Sequence, residues 1–170
     1  MQAIYPVLHP ATVRGAAMIR PASFLDIPSI INLGNRYVEE EVKKVAHHCA
    51  VWDAETSAHF LCQSLTRSDM FLWVAVEDGE LVGFLWAATH PMAPWNPAMV
   101  ASDMLFYMVP EKRGSLMGMR LVKEYKAWAE SMACVEVRLS IASGINEERV
   151  GRMFNHLGFE TFGTVYNHKF

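Results

Sequence analysis

Two apolar runs joined at Asp78-Gly79 constrain this chain more than any other feature. Met70 to Glu77 is rich in aromatic and β-branched residues, and Glu80 to His90 reads as its returning partner. Aspartate and glycine tolerate the positive φ angles of a tight antiparallel turn, so the segment predicts a β-hairpin. A Pro-interrupted stretch, Pro91 to Pro97, reads as a loop. Ala98 to Val109 then reads as a third strand, stopped by Pro110.

Helical periodicity flanks this sheet on both sides. Ile27, Ile30, Ile31 and Gly34 share one helical face, entered through Ser23 and Asp26 at capping-box spacing and Pro28 in the first turn. That helix is expected to reach about Tyr37. Glu39 to Val51 fits helix or loop. Asp53 caps a second helix with the stripe Ala54, Ala58, Leu61, Cys62 and Leu65. Met117, Leu121, Tyr125, Trp128 and Met132 form the stripe of a third, which ends near Met132. Cys134 to Ile141 alternates as a strand, and Ile145 to Leu157 reads as a helix closed by Gly158. Phe159 to Phe170 can form two short strands around Gly163. With a short strand at Ala17 to Pro21, the order is β, α, α, β, β, β, α, β, α, β, β. Strands on either side of a crossover helix imply a mixed sheet with helices on its faces.

Residues 18–170 then form one domain, and residues 1–17, Pro-interrupted and without a period, form an N-terminal extension. The chain has 170 residues, 52% apolar and 19% charged, enough for one core. A net charge of −3 argues against a nucleic-acid coat. The longest uncharged run, Leu81 to Ser102, is broken by Gly83, Pro91, Pro94 and Pro97, so no membrane span is expected. Cys49, Cys62 and Cys134 are an odd set without a close pair, which suits reduced thiols in the cytoplasm. Met1 to Ala17 carries only Arg14 as a basic residue, so no secretory signal is expected.

The segment most directly tied to chemistry is Tyr107-Met108-Val109-Pro110-Glu111-Lys112-Arg113-Gly114-Ser115-Leu116-Met117-Gly118. It connects a strand to a helix. The first turn of that helix has free N–H groups and the positive end of the dipole, which favour a phosphate or pyrophosphate. A plain strand-to-helix turn is the alternative for the loop taken alone. The element order and this loop resemble the GNAT superfamily of acyl-CoA N-acyltransferases. The family's Arg/Gln-x-x-Gly-x-Gly/Ala aligns with Arg113 to Gly118, with Leu116 in place of the first motif glycine. Met18-Ile19-Arg20-Pro21-Ala22 with Asp26-Ile27-Pro28, Asp78 to Phe84, and Asn155-His156-Leu157-Gly158-Phe159-Glu160 resemble its opening, central hairpin and last helix. Gly144 to Arg149 is similar to small phage and bacterial members.

The resemblance implies an α+β fold: a mixed, mostly antiparallel sheet flanked by helices, with a V-shaped splay between two parallel strands. It implies acetyl-CoA as co-substrate. Tyr107, Met108 and Val109 would pair with pantetheine, Arg113, Gly114, Ser115, Leu116, Met117 and Gly118 would hold the pyrophosphate, and Asn146 would contact the pantetheine arm. An acceptor amine must lose a proton to attack the thioester, and a carboxylate, histidine or water can take it. Asp103 and His90 are the candidate bases, weighed against a solvated strand aspartate and a surface histidine. A backbone N–H near Met108 could stabilise the oxyanion. Many members protonate the thiolate with a tyrosine of the last helix, where this chain has Phe154; Tyr166 in the last strand could reach the acyl site. Trp95 is a candidate substrate wall. Cys134 reads as a buried hydrophobe rather than a nucleophile. His47-His48 with Glu39, Glu40 and Glu41 lack metal-ligand spacing, so no metal is expected.

The leading expectation is an acetyl-CoA-dependent N-acetyltransferase acting by direct attack in a ternary complex. Its expected partners are a small-molecule or peptide amine and a second copy in a homodimer, with no nucleic acid and no membrane. The alternative is a GNAT-fold interaction or structural module, motivated by Leu116 and Phe154.

Overall fold

The hairpin turn forms as its residues dictate: Asp78 and Gly79 take φ values of 53° and 83°. A computed structural model describes residues 17–46, 51–141 and 147–163. The strands are β1 (Met18–Pro21), β2 (Met70–Glu77), β3 (Glu80–Ala93), β4 (Asn96–Met108) and β5 (Glu136–Arg138). They lie in the order β1-β2-β3-β4-β5, antiparallel except for the parallel β4–β5 pair. The helices are α1 (Ile27–Tyr37), α2 (Lys43–Ala46), α3 (Ala54–Ser64), α4 (Leu116–Ser131) and α5 (Glu147–His156). This is the mixed, mostly antiparallel sheet flanked by helices that the sequence implies.

Consecutive strand residues face opposite ways, and Phe106 and Tyr107 show which helix covers which face. A Cβ on Gly118 of α4 would sit 3.5 Å from the Phe106 ring, while the Tyr107 ring meets Tyr37 of α1 edge-on at 5.9 Å. Helices on both faces explain why β2 reads as a continuous apolar run, with Phe71, Leu72, Val74, Ala75 and Val76 all buried. On the α4 side Phe71 packs against Tyr125 at 5.4 Å and Trp128 at 5.3 Å. Burying side chains such as Phe71 and Leu121 stabilises the fold by about 1.5–3 kcal/mol each. Asp53 caps α3 by accepting from Thr56 N at 2.7 Å, and the indole of Trp86 donates to Ser64 Oγ at 2.9 Å, tying that helix to β3.

Several boundaries differ from the sequence reading. The Pro91–Pro97 loop is mostly strand: β3 runs to Ala93 and β4 resumes at Asn96, leaving only Pro94-Trp95 as the turn. Prolines are tolerated there because the pairing is irregular between Pro91 and Ala93. The first helix ends at Tyr37 as expected, and the stretch after it, which fits helix or loop in the sequence, begins as a π-helical turn, Val38–Val42, leading into α2. The Cys134–Ile141 strand contracts to Glu136–Arg138. Residues 159–163 form no strand, and the rest of the expected final hairpin, like the 1–17 extension apart from Ala17, lies outside the described residues.

The entry into α1 rests on one ion pair. Asp26, 6% exposed, accepts from Arg20 Nη1 at 2.7 Å and Nη2 at 2.8 Å, and from Ser23 N at 2.7 Å. The Arg20 guanidinium, aided by Ser23 against the opposing effect of burial, holds the carboxyl down to about 2. A depressed pKa stabilises the fold above the unfolded value and is lost as pH falls through the folded one. Asp26→Asn should therefore cost about 1–2 kcal/mol in urea unfolding above pH 5. The gap to the parent protein should shrink steadily as pH drops from about 5 toward about 2. A gap that stays constant over that range would exclude the ionised pair as its source.

Candidate active site

A parallel ladder only three residues long creates the site. Val100, Ala101 and Ser102 of β4 pair with Glu136, Val137 and Arg138 of β5. Beyond Ser102 the strands part, and from Asp103 to Met108 no described strand pairs with that edge of β4. A cleft of about 460 Å³ opens there, between β4, Ser140-Ile141, the start of α4 and one face of α5. Val109 N donates to Val82 O at 2.9 Å on the β3 side. Antiparallel pairing alternates, so the neighbouring Met108 turns its N–H and C=O to the cleft edge. Gly83 permits the close approach that sets this register, because a Cβ there would sit 2.2 Å from Met108 Sδ and 2.7 Å from Tyr107 O.

Asp103 stands at the vertex of the V. Its carboxylate accepts from Ser140 N at 2.9 Å and Ser140 Oγ at 3.2 Å, bridging the two strands where backbone pairing stops. Burial pushes its carboxyl up to about 6, against the lowering effect of those hydrogen bonds. Phe154 lines the same cleft, half of a ring pair with Phe159 at 5.8 Å. Tyr37 lines it too, and no local signal in the sequence points to its hydroxyl, because its place in the cleft depends on contact with the distant Tyr107. Burial raises its pKa, reinforced by Glu41 and Asp103, so it is protonated at neutral pH.

The connection from β4 to α4 is a 3-10 turn, Pro110–Lys112, followed by Gly114 at φ 88°, a conformation that favours glycine. Leu116, Met117 and Gly118 are the first turn of α4 rather than loop, with Ser115 as N-cap; its Oγ faces Met117 N at 3.4 Å. Arg113 N and Ser115 N bond within the turn to Pro110 O and Lys112 O, both at 3.2 Å. The amides of Leu116 and Gly118 have no intrahelical acceptor at these positions. Leu116 projects outward, 68% exposed.

The Arg113 side chain turns inward. Its Nε donates to Met108 O at 2.9 Å, Nη2 pairs with Glu41 at 2.6 Å, and the guanidinium lies 5.5 Å from the centre of the Tyr107 ring. Tyr107 Oη donates to Glu40 at 2.7 Å. The π-helical turn widens the spiral so that Glu40 and Glu41, adjacent in sequence, both face this arginine. Lys112 pairs with Glu77.

Asp103, Met108, Arg113, Gly114, Ser115 and Gly118 all border the cleft. His90 does not: its ring bonds to Pro91 O and Ser102 Oγ, both at 2.8 Å. Trp95 is 86% exposed at the β3–β4 turn, away from the cleft lining. Burial raises the Cys134 thiol pKa, which suits a hydrophobe rather than a nucleophile. Tyr166, Asn146 and the His47-His48 pair lie outside the described residues. No helix among the described residues is long and apolar enough to cross a membrane.

The acetyltransferase (GNAT) family model matches residues 35–159, which hold the splay, the loop and α5. The chain belongs to this family. It is an acetyltransferase by that membership, and the family uses acetyl-CoA. No curated protein is detectably similar in sequence. The fold is shared with a predicted acetyltransferase with acetyl-CoA from Clostridium acetobutylicum (TM-score 0.72, 13% identity, 91% of this chain and 96% of that one). It is also shared with a transcriptional regulator from Bacillus halodurans (0.71, 17%, 91% and 100%). A third is a ribosomal-protein-alanine N-acetyltransferase from Brucella melitensis (0.67, 18%, 92% and 100%).

The residues present fit the family's co-substrate. Orphan amides at the positive end of α4 suit a diphosphate, and a wall of Phe106, Met108, Ile141, Val150 and Met153 suits the methylene and methyl groups of an extended arm. Gly118→Pro removes one of those donors. A hydrogen bond to a charged group contributes about 1.5–3 kcal/mol, so CoA affinity measured by calorimetry should fall about tenfold or more. Unchanged affinity in a folded variant would remove the α4 amides from the binding site.

Proposed function

We propose that the protein transfers an acetyl group from acetyl-CoA to an amine, small-molecule or peptide, by direct attack in a ternary complex. The observation that carries this reading is the unpaired edge of β4, which leads from Asp103 at the vertex to the α4 amides within one cleft. Acetyl-CoA would supply the activated acetyl thioester. The amides of Leu116 and Gly118 would bind its diphosphate, and the β4 edge would align its arm as an added strand. Met108 N–H would face the thioester oxygen and stabilise the charge that develops there.

Most amines are protonated at neutral pH, so proton removal is the sensitive step. Asp103 is ionised above about 6, inside the cleft, and its Ser140 bonds orient it. The thiolate that leaves receives its proton from Tyr37 or solvent, since Phe154 has none to give. A screen of acetyl-CoA turnover over amino acids, polyamines, aminoglycosides and peptides tests the reading directly. The second reading, an interaction module on the same fold, is favoured by Leu116 and Phe154 at positions where the family has glycine and often tyrosine. No turnover with any amine, together with no thermal shift by acetyl-CoA, would select it.

With a confirmed acceptor, log kcat/KM should steepen as pH falls below about 6, where Asp103 takes up a proton. Asp103→Asn should lower turnover about a hundredfold and abolish that steepening while leaving acetyl-CoA affinity intact. A profile that keeps its inflection in the variant would assign the base elsewhere. Tyr37→Phe should reduce kcat severalfold at unchanged KM for acetyl-CoA, and a parent-like kcat would leave thiolate protonation to solvent.

A further inference from the structure

Lys112, Arg113, Arg149 and Arg152 border the cleft. Lys112 pairs with Glu77, Arg113 with Glu41 and Arg152 with Glu148. Arg149, on the exposed side of α5, has no carboxylate partner among the described residues. Its Nη2 donates instead to the carbonyl oxygen of Arg113 at 3.3 Å. It also presses on Gly114: a Cβ added there would lie 2.0 Å from that nitrogen. The guanidinium therefore rests on the loop just before the first turn of α4.

That is a poor place for a lone cation. The orphan amides of α4 give this end a positive partial charge, which repels a guanidinium. One long bond to a carbonyl is a small return for that placement. An anion lying between the two would satisfy both, with helix amides on one side and a forked cation on the other. Gly114 keeps the floor between them open. The loop's own arginine cannot fill this role, because Glu41, Met108 O and the Tyr107 ring already hold its side chain.

We propose that Arg149 is the second jaw of a diphosphate clamp, leaving the Arg113 carbonyl to pair with the 5′-diphosphate of CoA against the α4 amides. The inference rests on the acetyl-CoA reading and adds α5 to a site otherwise built from β4 and α4. The charge that the loop sequence offers in Arg113 comes instead from a residue thirty-six positions later.

Calorimetry on the full chain separates the outcomes, with CoA, dephospho-CoA and pantetheine as probes for the parent, Arg149→Gln and Arg149→Lys. Arg149→Gln should weaken CoA and dephospho-CoA alike by about tenfold or more and flatten the salt dependence of both. Pantetheine, which lacks the diphosphate, should bind as it does to the parent. Arg149→Lys should recover only part of the loss, because an ammonium lacks the planar fork. Equal CoA affinity in the parent and Arg149→Gln would overturn the clamp. So would a loss confined to CoA, which would place Arg149 on the 3′-phosphate. A parent protein that binds no CoA would overturn the acetyl-CoA reading itself.

Discussion

The brevity of the β4–β5 ladder governs everything else at the site. Parallel pairing over Val100–Ser102 and Glu136–Arg138 brings the crossover helix α4 onto the sheet. Its termination at Asp103 then leaves the edge of β4 with no described strand beside it. A buried edge with unmet hydrogen bonds is costly, and a long exposed one invites unwanted pairing. This fold resolves the problem by flanking the gap with α5 and by bridging its vertex with the Asp103–Ser140 pair. The result is an open slot along the edge of β4.

Most of this architecture is legible in the sequence because it depends on local signals. Asp78-Gly79 dictates the central turn, Asp53 caps its helix, and the Met117-Leu121-Tyr125 stripe marks the helix that covers the sheet. The strand-to-helix loop and Asp103 are legible for the same reason, and both reach the cleft. What misleads is composition standing in for geometry. Three prolines between Pro91 and Pro97 suggest a loop, but irregular pairing accommodates them in a long hairpin. His90 has the chemistry of a base, yet Ser102 and Pro91 hold its ring outside the slot.

The least legible features depend on contacts between distant segments. Tyr37 closes α1 as the periodicity predicts, but nothing local shows that its ring enters the cleft wall beside Tyr107. Arg149 reads as one more solvated helix cation until α5 is laid across Gly114. Neither side chain carries a motif. Each gains meaning from a partner more than thirty residues away, Tyr107 for one and Arg113 for the other.

The inward turn of Arg113 changes what its presence signifies. Held by Met108 O, Glu41 and the Tyr107 ring, it fastens the end of β4 to the helical segment across the sheet. A descendant that had stopped handling acyl-CoA would still need that fastening. The arginine is thus a marker of scaffold integrity. Evidence of ligand use must be sought at Gly118, where a Cβ would meet the Phe106 ring at an ordinary 3.5 Å and folding alone places a weaker demand on the side chain.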